Sequence, residues 1–262
     1  MTVTERAAPA VARSRVAVVM PAYHAAATLE RTLAEIPNGC ADDLVLGDDA
    51  STDGTAELAE RLGVHVVRSS QNRGYGGNQK QIYQAALDRG ADIVVMLHPD
   101  GQYDASLIPS FVGFVRAGVA DVMLGNRVRT RRECLRCGMP FWKYVSNRLL
   151  TIMENVAFGQ NLGEFHSGFR VYRREVLETV AFHENSEDFV FDSEFLAQAI
   201  YHGFKVADAP MPVRYFPEAS SISFRRSLRY GATTVVTVAK FLLQRIGLGR
   251  FRMFERRAPT GA

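Results

Sequence analysis

The segment His98-Pro99-Asp100-Gly101-Gln102-Tyr103-Asp104 sets acidic and amide oxygens directly behind an apolar run, Ile93-Val94-Val95-Met96-Leu97. A short apolar run bounded by turn residues reads as a buried strand. The oxygens therefore emerge where a strand stops, which in open α/β sheets is where ligands bind. Asp100 and Gln102 stand two apart, and in extended chain alternate side chains share a face. A hard divalent cation takes oxygen ligands and commonly bridges a carboxylate to substrate phosphates. The chemistry on offer is a Mg²⁺ or Mn²⁺ ion holding a diphosphate. A plain Asp-Gly hairpin turn is the other reading of the same residues.

Asp48 and Asp49 follow a second apolar run, Leu44-Val45-Leu46. They suit hydrogen bonds from a nucleobase edge or a ribose, and equally turn and cap chemistry, to which Ser51, Thr52 and Asp53 are assigned. Gly74, Gly76 and Gly77 precede a helical stretch. They would let backbone N–H groups approach a phosphate at a helix N-terminus, with Arg73 or Lys80 adding charge, or else form a flexible turn. Arginines cluster at Arg127, Arg129, Arg131, Arg132 and Arg136, at Arg225, Arg226 and Arg229, and in the tail from Arg245 to Arg257. Such clusters suit phosphate-bearing ligands or an anionic membrane, or form a solvated face. Cys134 and Cys137 make a Cys-x-x-Cys without a second pair. Zinc wants about four ligands, so no metal site is expected there, and the low, odd cysteine count fits a reducing compartment.

These groups need a scaffold. The 262 residues are 47% apolar and 23% charged, with a net charge of +3, ordinary for a globular chain and too mild to point to nucleic acid. Residues 1–14 read as a disordered polar tail without a signal core. No run approaches the roughly 18 apolar residues that span a bilayer. Strands are predicted at 16–20, 44–46, 64–67, 93–97 and 119–124. Helices are predicted at 25–36, 56–62, 79–88 and 107–116. This alternation predicts an α/β fold, a single Rossmann-like, mostly parallel sheet flanked by helices. The second half differs, with helices at 141–158, 193–201 and 233–244 and extended segments at 168–172 and 205–213. We divide residues 15–232 into a nucleotide half (15–126) and an acceptor half (127–232), followed by an amphipathic helix and basic tail at 233–262.

Four motifs occur in order: Val18-Val19-Met20-Pro21-Ala22-Tyr23, then Gly47-Asp48-Asp49-Ala50-Ser51-Thr52-Asp53-Gly54-Thr55, then Asn72-Arg73-Gly74-Tyr75-Gly76-Gly77-Asn78, then Asp100-Gly101-Gln102. This succession resembles the family 2 glycosyltransferases of the GT-A fold, within them the dolichyl-phosphate mannosyltransferase-like branch, whose members move sugars from nucleotide sugars to polyprenyl phosphates. Ser167-Gly168-Phe169-Arg170 and residues 188–231 also resemble that branch. The resemblance implies a nucleotide-sugar site built from Pro21, Ala22, Tyr23, Asp48, Asp49, Arg73, Gly74, Gly76, Lys80 and Asp100. It implies a divalent cation, Mg²⁺ or Mn²⁺, on Asp100 and Gln102. The family commonly has an acidic residue where this chain has His98, an imidazole that suits Mn²⁺ better than Mg²⁺. Gly125-Asn126-Arg127 resembles the family's Gly-Ser-Arg, so that Arg127 and Arg170 would neutralise a phosphate of donor or acceptor. Ser221 and Arg225 resemble a late loop that closes over the diphosphate.

An acidic residue of the 187–194 region often serves as general base in this family. Asp188 is the first candidate, with Asp192, Glu194 and His166 behind it. A base is needed if an alcohol attacks; an ionised phosphate needs none. The expected reaction is an inverting, metal-assisted transfer from a UDP- or GDP-sugar to a polyprenyl-phosphate acceptor. Alternatives are transfer to a small hydroxyl-bearing acceptor, a catalytically silent nucleotide-sugar-binding or membrane-docking module, and, more distantly, nucleotidyl transfer. The expected location is cytoplasmic, with residues 233–248 either touching the membrane face peripherally or forming a core or homo-oligomer helix. No nucleic-acid partner is expected.

Overall fold

A computed structural model describes residues 14–128, 130–136, 138–214 and 224–257. In chain order the elements are β1 (Val16–Ala22), α1 (Ala26–Ala34), β2 (Asp43–Asp48), α2 (Thr55–Arg61), β3 (His65–Arg68), α3 (Gly74–Asp88), β4 (Ile93–Met96), α4 (Ile108–Arg116), β5 (Val122–Asn126), α5 (Arg131–Arg136), α6 (Phe141–Phe158), β6 (Arg170–Arg173), α7 (Arg174–Thr179), α8 (Phe191–Tyr201), β7 (Val206–Pro210) and α9 (Phe224–Arg245). Seven strands form one sheet in the order β3-β2-β1-β4-β6-β5-β7. β1 pairs in parallel with β2 and with β4, whereas β6 runs antiparallel to both β4 and β5.

β1 is buried at every position, as its unbroken apolar run requires of a central strand. Alternate strand residues feed two cores, one on each face. Ala17, Val19, Val94, Met96 and Leu124 pack with residues of α3, α6, α8 and α9. Val16, Val18, Met20, Val95 and Met123 pack with residues of α1 and α4. The chain leaves β1 for β2 on one side and later returns to β4 on the other, so the order reverses beside β1. That reversal opens a crevice at the carboxyl ends of the strands. Antiparallel β6 brings its start to the same edge, since Arg170 pairs with both Met96 and Leu124.

Two boundaries differ from expectation. The glycine-rich segment is the first turn of α3 rather than a loop before it. The division drawn at residue 232 falls inside α9, which starts at Phe224. Val238 and Phe241 of α9 join the same core as strand residues, and α9 packs against α8 and α6. Of the tail predicted at 1–14, residues 1–13 lie outside the described residues, and Ser14 O accepts from Arg116 at 2.9 Å.

Candidate active site

Three strand ends meet at the crevice. At β1, Tyr23 is 55% exposed and stacks on His24, with ring centroids 4.1 Å apart. Among the described residues, His24 and Ala50 are the non-glycine residues with positive φ, 54° and 61°. Strained backbone of this kind gathers at functional sites, and the two flank the crevice from adjacent strand ends.

Asp48 and Asp49 divide the labour. Asp48 is 5% exposed; its Oδ2 accepts from Ser51 N–H at 3.3 Å, and its buried Oδ1 has no partner among the described residues. Asp49 is spent on the fold. It accepts the N–H groups of Arg73 at 2.7 Å and Gly74 at 3.0 Å, tying the head of α3 to β2. Burial pushes its carboxyl up, against those two donors. Asp53 acts as the expected cap, accepting from Thr55 N–H and Thr55 Oγ1.

Several groups expected to cradle a phosphate have partners inside the protein. The amides of Arg73 and Gly74 are taken by Asp49, and that of Gly76 donates to Glu187 O at 2.8 Å. The glycines serve packing instead. A Cβ on Gly74 would stand 2.7 Å from Glu187 O, and one on Gly76 would stand 2.3 Å from Ser186 O. Lys80 turns away to donate to Asn185 O at 2.6 Å, while Arg73 keeps an exposed side chain.

At β4, Asp100 Oδ1 accepts Gln102 N–H at 3.0 Å, closing a turn through Gly101 at φ 69°. His98 is wedged between two rings, 5.6 Å from Tyr75 and 6.1 Å from Tyr103. Tyr75 Oη donates to Asp192 Oδ2 at 2.8 Å. Having spent its proton, it accepts from His98 Nε2, 3.3 Å away. In the tautomer that makes this contact Nε2 carries the hydrogen and Nδ1 holds the ring's lone pair. Burial lowers the His98 pKa. Among the described residues no group of three or more His, Cys, Asp and Glu side chains gathers to hold an ion. Asp100 and Gln102 remain, a hard oxygen set that fits Mg²⁺ or Mn²⁺ with phosphate and water filling the other positions.

The acceptor half contains a buried polar scaffold. Arg170 is fully buried. Its guanidinium donates to Ser167 O at 2.8 Å and Phe165 O at 2.9 Å and lies 3.5 Å from Asp192 Oδ2. Asp192 also accepts from Gln79 Nε2 at 3.2 Å. Arg127 is gripped by Glu164, through Nε at 2.9 Å and its own N–H at 2.8 Å, and donates to His166 O at 2.8 Å. Burial opposes the Glu164 charge, yet Arg127 beside it holds the carboxyl below the usual range. Both arginines expected to meet a phosphate are thus engaged within the protein. Carbonyls and carboxylates left in the interior need cations more than the surface does.

The candidate bases separate as well. Glu194 accepts Ser186 N–H at 2.6 Å and anchors residues 186–190. Asp192 is saturated as described. His166 has Nδ1 2.7 Å from Tyr230 Oη and Nε2 3.1 Å from the fully buried Glu154. Asp188 alone of the four is largely exposed, at 47% of its side chain. Ser221 lies outside the described residues, as does the side chain of Arg225. Sequence reasoning missed Tyr75, Gln79, Glu154 and Tyr230. Tyr75 had a signal, an aromatic ring inside a glycine run; Glu154 had none, since its partners arrive from distant segments.

Comparison with known proteins agrees with this architecture. The description "Glycosyl transferase family 2" matches residues 17–181. The low-salt glycan biosynthesis hexosyltransferase Agl6 of Haloferax volcanii is 30% identical over 240 residues, 88% of this chain; the chain spans 56% of that relative. The polyprenol monophosphomannose synthase of Mycolicibacterium smegmatis is 26% identical, over 75% of this chain and 76% of the relative. Among solved structures, glucosyl-3-phosphoglycerate synthase from Mycobacterium tuberculosis, in complex with Mn²⁺, UDP and phosphoglyceric acid, matches with a TM-score of 0.64 at 20% identity. It covers 91% of this chain and 80% of that one. The last likeness carries the GT-A fold alone. With a family match over more than half its length, this chain belongs to glycosyl transferase family 2 and is a glycosyltransferase.

Proposed function

We propose that this enzyme takes its sugar from a UDP- or GDP-sugar and delivers it, with inversion, to a phosphate-bearing acceptor of the polyprenyl-phosphate class. The observation that carries the donor half is Asp48. Its Oδ1 is buried at a strand end without a partner among the described residues, and buried polar atoms are rarely left so. The imide N–H of uracil or guanine, or a ribose hydroxyl, would satisfy it. Tyr23 offers an exposed ring beside it for the base. Asp100 would hold a divalent cation with Gln102 next to it; when bound, the ion neutralises charge growing on the leaving diphosphate. The polyprenyl-phosphate class is supported by the relative named polyprenol monophosphomannose synthase, and the cation by the Mn²⁺ and UDP of the structural neighbour.

A phosphate nucleophile is already ionised near neutral pH, so displacement at the anomeric carbon needs no base. A second reading, transfer to a small alcohol, is favoured by the exposed carboxylate of Asp188, the group that would take the alcohol's proton.

Peripheral membrane contact is part of the proposal. α6 turns its polar residues Asn147, Thr151 and Glu154 inward, and leaves Phe141, Leu149, Ile152 and Val156 exposed at 60–80%. The adjoining α9 exposes Leu228, Val235 and Leu242, and Ile246 just past its end is exposed too. An apolar stripe with basic residues at its ends suits the interface of an anionic bilayer. No helix among the described residues is long and apolar enough to cross one.

The test is thermal shift with UDP, GDP, dTDP and their sugars, with Mg²⁺, Mn²⁺ or EDTA. Ligands that bind only the folded state raise its Tm. One nucleotide should stabilise the wild type with metal, and Asp100→Ala should lose the metal-dependent part. No stabilisation by any nucleotide would overturn the donor assignment.

A further inference from the structure

Resting on the phosphate-acceptor reading, the geometry points to a phosphate-monoester seat between residues 186–190 and the first turns of α9, with Arg226 and Arg229 as its cations. The need for such a seat arises from what the interior consumes. Arg170 is buried against two carbonyls and Asp192, and Arg127 is held by Glu164 and the carbonyl of His166. Both guanidiniums are already engaged with partners inside the protein, and breaking a buried ion pair is costly.

An open cavity lies where α9 crosses residues 186–190, lined by Asp188, Phe189, Arg226, Arg229, Tyr230 and Thr233 among others. Arg226 and Arg229 are three apart on one helix, so both guanidiniums sit on the same side. Arg229 is 75% exposed and only loosely paired with Asp188, at 3.8 Å. Guanidinium forks match phosphate oxygens two at a time. A phosphate would draw Arg229 off the carboxylate.

The position joins this seat to the donor crevice. Phe189, on the cavity wall, stacks on Tyr75 at 5.0 Å. Tyr75 stacks in turn on His98, two residues from Asp100. The cavity wall is also fixed in place. Tyr230 Oη lies 3.0 Å from Ser193 Oγ and 2.7 Å from His166 Nδ1. His166 Nε2 lies 3.1 Å from Glu154. This chain ties α9 to α8 and α6. The contact between Tyr230 and His166 Nδ1 holds the helix that carries the two arginines against the segment of His166.

The experiment is isothermal titration of the full chain, with Mn²⁺ and the nucleoside diphosphate that stabilises it, using farnesyl phosphate, glycerol 3-phosphate and farnesol. Wild type, Arg226→Gln/Arg229→Gln and Arg226→Lys/Arg229→Lys are compared. We expect a phosphate ester to bind the wild type. The glutamine pair should weaken it by about tenfold or more, the scale of losing charge-assisted hydrogen bonds, and the lysine pair should weaken it less. Nucleotide affinity should match wild type in both variants, which also reports that they are folded. Binding of farnesyl phosphate but not glycerol 3-phosphate identifies a lipid source, and the reverse a soluble one; either supports the seat. Equal affinity of wild type and the glutamine pair for the phosphate ester overturns it, as does farnesol binding as tightly as farnesyl phosphate, or no phosphate ester binding at all. Failure of the donor reading would appear separately, as loss of nucleotide binding in the wild type.

Discussion

At the scale of single residues, neighbouring carboxylates do unlike work because their surroundings differ. Asp49 meets two backbone donors and becomes part of the frame, whereas Asp48, one residue earlier, keeps a buried oxygen unpartnered. Asp188 differs from Asp192 and Glu194 in being exposed beside a loosely held arginine. If the acceptor is a phosphate, Asp188→Asn should retain transfer within about tenfold of wild type, since no proton must be removed; a loss of a thousandfold with nucleotide binding intact would instead assign Asp188 as base to an alcohol acceptor. Steady-state rates decide, measured with whichever of farnesyl phosphate or a small alcohol supports turnover of the wild type. Glu164 supplies a pH prediction. Its carboxyl is held below the ordinary value of 4.5 in the fold. The stabilisation is therefore present above that value and lost as pH falls through the lower, folded one. Glu164→Gln should cost on the order of 3 kcal/mol at pH 7 by leaving Arg127 buried without its anion. The gap in Tm to wild type should close as melts are taken from pH 7 down past about 4.5.

At the scale of elements, the head of α3 shows how a glycine run acts through closeness rather than pliancy. Gly76 lets residues 186–187 lie against the helix, and Asp188 follows directly. Gly76→Ala would press a methyl 2.3 Å from Ser186 O and 2.9 Å from Phe191 Cβ. Overpacking of this kind costs about 1–3 kcal/mol, and denaturant melts should show it. Gly113→Ala in α4 is the control, with nothing within 4 Å of its added methyl; there the exchange should be neutral or stabilising by up to about 1 kcal/mol. The inward polar face of α6 follows the same logic. Asn147 faces inward, where it donates to Glu164, and Glu154 lies inward near His166, which turns the apolar side of the helix outward.

At the scale of the molecule, that outward face adjoins the one on α9, and together they make an apolar surface beside the proposed acceptor cavity. The chain should co-sediment with vesicles containing anionic lipid. Leu149→Glu/Ile152→Glu should abolish this with Tm little changed, because both side chains are at least 60% exposed and exposed substitutions seldom shift stability by more than about 0.5 kcal/mol. Equal sedimentation of variant and wild type would remove α6 from the contact. A polyprenyl chain lying in that interface would bring its phosphate to the helix ends, where the arginines stand.

Much of this was legible in order along the chain. Apolar runs at 16–20, 44–46 and 93–97 are strands because nothing else lets such short segments be buried on both faces, and the oxygens that follow them must emerge at strand ends. The mostly parallel α/β sheet and the strand-end carboxylates Asp48 and Asp100 were determined by the sequence in this way, through local periodicity and turn chemistry; the GT-A form was implied by the resemblance of the ordered motifs to family 2 glycosyltransferases. The partners of buried charges were not. Arg170 with Asp192, Arg127 with Glu164, and His166 with Glu154 and Tyr230 join segments that only folding brings together. A charged side chain reads the same in a sequence whether it will face a ligand or neutralise an interior carboxylate. Tertiary structure decided which, because desolvation makes each buried charge take the nearest opposite one.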